Sequence, residues 1–293
     1  HVTFDDNDQM QTAIILAEAV QADKGYEQQM FSTRTELYSL GGNARWEFAD
    51  NFTLTLDANH AKSTTDPDNE NGTSATLFAM GAPVRATHRV DFSNGFPQQS
   101  ETINDCTSRG GNCNNTLDIG DMGTQVARTI TSRQEARINQ FRADVAWELD
   151  DQAEFSFGGD YIDSRMRSTT VNTTQLLGDW GITDTGLVNA MAGDLVETFC
   201  MTCKFDHYDP NSTGSALVAF RGNAVDLLDI FSPFYVAQGR AITSSPPADD
   251  TVGEKTWAAY GQMAWSTEIG GRPANVLIGV RYERTKVRAV AIQ

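Results

Sequence analysis

Along three stretches of the chain, apolar and polar residues alternate with a period of two. In the first stretch Leu40, Gly42, Ala44, Trp46 and Phe48 fall on one side, and past a turn at Asp50 the set continues through Phe52, Leu54, Leu56 and Ala58. Asn43, Arg45, Glu47, Thr53, Thr55 and Asp57 take the other side. Successive side chains of a strand point to opposite faces of its sheet, so this spacing predicts a half-buried hairpin, whereas a helix would scatter both sets. The second stretch repeats it: Phe141, Ala143, Val145, Trp147 and Leu149 return through Phe155, Phe157, Gly159 and Tyr161. Pairing Trp147 with Phe155 places Arg142 opposite Asp160, a favourable pair, and Glu148 opposite Glu154, an unfavourable one. In the third, Trp257, Ala259, Gly261, Met263 and Trp265 precede a turn over Ile269–Pro273 and return through Val276, Ile278, Val280 and Tyr282. Tyr260 competes with this tryptophan set for the apolar side.

The expected architecture is all-β: a partial antiparallel transmembrane β-barrel of about six strands in three hairpins, with long, partly helical outer loops. The hairpins are placed at about 36–63, 135–165 and 255–287, and the loops at 1–35, 64–134 and 166–254. Three features favour this over a soluble β-sandwich. The alternating runs reach about ten residues, the length a tilted strand needs to cross a bilayer. Trp46, Phe48, Trp147 and Trp265 all sit on the apolar face just before a short turn, where amphipathic rings gather at a membrane interface. Turns are short on one side while the intervening segments are very long, and structureless loops of that length are rare in compact soluble domains. Within the loops, Met10–Val20, Leu187–Phe199 and Ala216–Phe231 read as helices.

Composition narrows the function classes. A formal net charge of −17, from 39 acidic and 22 basic residues, argues against a nucleic-acid partner. No apolar run approaches the roughly 20 residues of a spanning helix. The cysteines fall as Cys106 with Cys113 and Cys200 with Cys203 in polar, turn-rich stretches, which reads as local disulfides, with free thiols or a zinc site as the alternatives. His1, His60, His88 and His207 form no metal spacing, and neither a nucleophile elbow nor a phosphate loop occurs, so no enzyme activity and no cofactor are expected. The run Asp66–Gly72 approximates a calcium loop, but its glycine falls one place late and Leu77 stands where the bidentate Glu belongs, so it reads as a solvated loop tip.

The segments Leu40–Ala58, Lys255–Gln262 and Gly279–Thr285 resemble barrel hairpins of TonB-dependent outer-membrane receptors. The resemblance covers about a third of the chain. It implies a 22-stranded barrel closed by a plug, importing a scarce nutrient (siderophore, vitamin or oligosaccharide) across the outer membrane of a Gram-negative bacterium, driven by an inner-membrane energy-coupling protein acting through the plug. No plug, coupling box or terminal aromatic strand is recognisable, so the chain is expected to be an internal piece of such a barrel. The expected partners are outer-membrane lipid, the small nutrient and, through the parent's plug, the coupling protein. Arg45, Asp57, Arg142, Asp160 and Arg281 would form the polar inner wall. Trp180, Phe231, Phe234 and Tyr235 could stack on a sugar ring, with Asp179, Asn189 or Asp194 offering hydrogen bonds, or else pack the loop helices together. The alternative is a soluble extracellular β-sandwich that binds glycan or protein through its loops.

Overall fold

The computed structural model describes residues 2–4, 11–92, 97–178, 182–206 and 217–292. Its strands are β1 (Val2–Phe4), β2 (Gln11–Phe31), β3 (Thr33–Ala49), β4 (Phe52–Pro67), β5 (Ala75–Asp91), β6 (Gln98–Ile103), β7 (Gly123–Asp150), β8 (Ala153–Leu176), β9 (Val196–Cys200), β10 (Val218–Gly222), β11 (Ile242–Ser244), β12 (Ala248–Ile269) and β13 (Arg272–Ile292). Helices α1 (Leu187–Ala192) and α2 (Ala224–Ala237) lie between β8 and β11. The chain is therefore mostly antiparallel β-sheet, as its alternation predicts. It divides into two compact units: a sheet unit of Thr33–Asp68, Ser132–Val171 and Pro246–Gln293, and a cored unit of His1–Ser32, Asn69–Thr131 and Asn172–Ser245.

In the sheet unit the strands pair in the order β3, β4, β7, β8, β12, β13. Registers keep the two faces apart: Trp46 meets Leu54 and Asn43 meets Asp57, Phe52 meets Trp147, Tyr161 meets Trp257, and Trp265 meets Val276. Each hairpin closes on a tight turn. In the third, Gly270 and Gly271 have φ of +61° and +75°, the left-handed pair that suits the right-handed twist of the flanking strands. Pro273 falls inside β13, a strand with no neighbour on its far side among the described residues, so its missing N–H breaks no ladder.

The cored unit holds what the sequence pattern did not resolve. Met10–Val20 was expected to be helical; Met10 lies outside the described residues, and from Gln11 the segment is strand β2, paired with β5 from Ala13↔Asp91 to Phe31↔Ala75. Ala, Leu and Glu favour a helix only weakly, and sheet pairing overrides them. Strand β5 is buried almost without interruption from Ala75 to Val84, and a continuous apolar run carries no period to read. The helix expected over Leu187–Phe199 stops at Ala192, and its remainder passes through a 3-10 turn into β9, paired with β10. Of the one expected over Ala216–Phe231, Ala216 lies outside the described residues and Val218–Gly222 form β10; the helix begins at Ala224, where the Asn223 side chain accepts the Val225 N–H, a helix-starting cap, and runs on to Ala237.

The main apolar cluster, with Phe78, Met80, Val84, Leu177, Phe220, Leu227, Phe231 and Tyr235, lies wholly in this unit. Side chains lock β10 onto β2: the Tyr26 hydroxyl donates to the Val218 carbonyl at 2.9 Å, and Gln28 bonds both the Phe220 carbonyl and the Gly222 N–H. Cysteines pair as Cys106–Cys113 and Cys200–Cys203, which removes the thiol and zinc alternatives. Gly111, at φ +116°, packs where a Cβ would sit 1.9 Å from the Asp105 carbonyl oxygen. In Asp66–Gly72, the stretch read as a solvated tip, Asp66, Asp68, Glu70 and Gly72 are exposed; Asn69 is buried, and Asn71 accepts from both the N–H and hydroxyl of the buried Thr73 that follows. Those neighbours satisfy the turn's polar groups internally.

Candidate functional site

The sheet unit presents two chemically distinct faces. On one, Ala44, Leu54, Leu56, Ala143, Val145, Phe157, Ala259, Gly261, Ile278 and Val280 form a continuous apolar band through the paired registers. This band is uncovered: Phe157 is 39% exposed, Ile278 71% and Val280 75%. Soluble domains bury such a surface against another layer.

Two aromatic rows bound the band. Toward the short turns lie Trp46, Phe48, Phe52, Trp147, Phe155 and Trp265; Phe52 stacks on Trp147 at 5.2 Å, and Phe48 touches both Trp46 and Phe52. The four interface aromatics expected from the sequence all belong to this row, and Trp46, Phe48, Trp147 and Trp265 are each more than a third exposed. The far row comprises Tyr38, Phe141, Tyr161, Trp257 and Tyr282, with Tyr161 against Trp257 at 4.2 Å. It went unrecognised in the sequence because its members come from three hairpins whose relative register no local pattern states. The rows stand six to eight residues apart along a strand, roughly 20–27 Å at about 3.4 Å per residue.

On the other face the polar residues organise around a groove of about 740 Å³, lined in part by Asn43, Asp57, Arg142, Asp160 and Arg281. Asn43 Nδ2 donates to Asp57 Oδ1 at 2.6 Å, and Arg281 bridges Asp160 at 2.9 Å and Glu283 at 3.0 Å. Contacts of Ser132 with Thr170 and of Thr129 with Thr173 follow the offset that sets Arg142 opposite Asp160. Yet these two do not form the expected pair: Arg142 bonds Asp144 on its own strand at 2.6 Å, and Asp160 is taken by Arg281. Same-strand neighbours two apart share a face, and Asp144 is the nearer carboxylate. Arg45 stands apart from the groove beside Glu47 at 3.6 Å.

Tyr260 belongs to this polar face, not to the tryptophan face with which its sequence position competes. It lies opposite Arg281, and its hydroxyl donates to Asp144 Oδ1 at 2.6 Å. Gly158 makes the reach possible, since a Cβ there would meet Asp144 Oδ1 at 2.4 Å and Tyr260 Cε1 at 2.9 Å.

The proposed sugar-stacking aromatics are placed otherwise. Phe231 and Tyr235 are core residues, 0% and 1% exposed, with Phe231 against Phe78 at 5.3 Å. Phe234 packs edge-on to Tyr235 and borders a shallow hollow of about 470 Å³ with Asp184, Leu187 and Gln238. Asn189 and Asp194 are exposed, and Trp180 and Asp179 lie outside the described residues. The Tyr235 hydroxyl donates to Asp184 at 2.6 Å and sits 2.5 Å from the Thr124 hydroxyl; burial, then the Asp184 carboxylate, pushes its pKa upward. Tyr26 is likewise raised by burial and by the charge of Glu101, and burial raises Asp121.

Among the described residues no His, Cys, Asp or Glu cluster could hold a metal ion, and no helix is long and apolar enough to cross a membrane. No protein-family model and no curated protein matches the chain.

Proposed function

We propose that the sheet unit is a membrane-embedded segment of an outer-membrane β-barrel, belonging to an energy-coupled receptor that imports a small nutrient. One observation carries the reading: an uncovered apolar band flanked by two aromatic rows, in a chain whose main protein core lies entirely in the other unit. Outer-membrane barrels carry an apolar band of about 25 Å between two aromatic girdles, with a polar interior and short turns on the periplasmic side. The spacing of the two rows fits that height once strands tilt. In this arrangement the groove of Asp57, Arg142, Asp160 and Arg281 faces the lumen, where it lines the margin of the plug that couples the parent protein to the inner membrane. With the short turns on the periplasmic side, the long connections between the hairpins face outward, where substrate is first met. Strand wording shared with TonB-dependent receptors supports the import role.

Protease protection tests the embedding. Inserted into phosphatidylcholine vesicles, the chain should keep 36–63, 135–165 and 255–287 intact under external protease while segments of the cored unit are cut. Cleavage within the three hairpins at the rate of the cored unit would overturn the reading and favour a soluble sheet protein.

A further inference from the structure

Beyond the far aromatic row, past Asn139 and Asp163, the face that carries the apolar band holds more basic than acidic side chains. On β7 and β8 the positions in line with Phe141 and Tyr161 become Arg133, Arg137, Arg165 and Arg167, all exposed, around an open groove of about 580 Å³. On β13 the positions in line with Val280 and Tyr282 become Arg284, Lys286 and Arg288. This concentration stands out in a chain of net charge −17 with only 22 basic residues.

Its pairing is incomplete. Within the groove Glu135 bonds Lys62 at 2.8 Å and Asp66 lies 3.8 Å from Arg133, while Arg167 holds Asp249 outside it. The offset shown by Ser132 with Thr170 and by Thr129 with Thr173 sets Arg137 opposite Arg165; neither has a direct ion pair among the described residues, and the carboxylate nearest both, Glu135, is bonded to Lys62. Lys255 also stands opposite Lys286 on this face, but it bridges Asp163 at 3.7 Å, which leaves Lys286 as the member without an ion-pair partner among the described residues. Like charges directly opposite one another destabilise a sheet unless an anion lies between them.

Resting on the membrane reading above, we infer that this band binds the phosphate groups of phosphorylated lipid headgroups in the outer leaflet, with Arg137 and Arg165 as the central pair. Its level fits: it begins where the apolar band ends, on the lipid-facing side and away from the short turns. Its chemistry fits too, because guanidinium groups take phosphate oxygens in bidentate fashion. A lipid phosphate between Arg137 and Arg165 would convert a repulsive facing pair into two charge-assisted contacts.

The test uses the full chain in phosphatidylcholine vesicles doped with a bisphosphorylated glucosamine lipid or with the same lipid lacking phosphates, and native mass spectrometry counts the lipid retained. Wild type should retain the phosphorylated form preferentially, also in phosphate buffer. The double variant Arg137→Gln/Arg165→Gln should lose roughly tenfold or more of that preference, at about 1 kcal/mol per basic residue near a charged surface, while Arg272→Gln at the short-turn end should keep it. Equal retention of both lipids by inserted wild type overturns the inference, as does a preference that inorganic phosphate abolishes, which marks a free-phosphate site. If the double variant does not insert, the wild-type comparison alone decides. Protease protection is read in the same samples: hairpins cleaved in every vesicle overturn the membrane reading together with this one, whereas protected hairpins without lipid preference overturn only this one.

Discussion

Tyr260 shows how a single side chain is decided by what stands across the sheet. Its hydroxyl reaches Asp144 only because Gly158 leaves room between them. Gly158→Ala should therefore destabilise the sheet unit by about 1–3 kcal/mol, as overpacking does, against about 1 kcal/mol for Tyr260→Phe, which loses one hydrogen bond. Urea unfolding in detergent micelles checks the order; equal losses would mean that the glycine serves only the strand backbone. Tyr235 offers a test in the cored unit. Its phenol is held protonated by burial and the neighbouring Asp184, so the folded pKa lies above the ordinary value near 10. A raised folded pKa contributes stability that is complete below the unfolded value and is lost as pH climbs toward the folded one. Thermal unfolding followed by near-UV circular dichroism should accordingly fall more steeply between pH 9 and pH 11 for wild type than for Tyr235→Phe (pH points set by the ordinary value, about 10). Some slope should survive in the variant, because Tyr26 is raised as well.

At the scale of elements, the strands of the sheet unit have two faces that tolerate charge differently. Phe157→Arg, in the middle of the apolar band, should reduce insertion into vesicles by about 2–4 kcal/mol, while Ser156→Arg one position away on the polar face should insert nearly as wild type. Equal insertion of the two variants would remove the basis for calling that band lipid-facing. The segment closed by the Cys106–Cys113 disulfide depends on a different constraint. Its loop is short, so the chain-entropy contribution is roughly 2.5 kcal/mol. Reduction should open residues 104–118 to proteolysis while the buried strand β5 keeps its amide protection, as hydrogen exchange would report.

For the whole molecule, the decisive feature is that β3 and β13 are edges of the sheet unit and exposed along their lengths. Unpaired edges are templates for association, and backbone groups without partners are intolerable in lipid. In plain buffer the isolated chain should aggregate, and it should need detergent to stay dispersed; a sharp monomer by sedimentation that melts cooperatively would contradict the reading of the chain as part of a larger barrel.

Alternation with period two made the three hairpins and both their faces legible from residues alone, because each strand's pattern is local and one face had to be apolar. Thus Trp46, Trp147 and Trp265 could be placed on one face without coordinates, and the cysteines could be paired by proximity in the chain. What tertiary structure decided was everything that depends on partners far apart in sequence. It made β2 a strand despite its helical composition, because β5 pairs with it. It put Phe231 and Tyr235 in a core rather than at a surface. It set Tyr260 on the polar face, redirected Arg142 to Asp144, and aligned Tyr38, Phe141, Tyr161, Trp257 and Tyr282 into a second row above which the arginines gather. The period of a strand is written in its own residues, but its register against other strands is fixed only when all their side chains find room together.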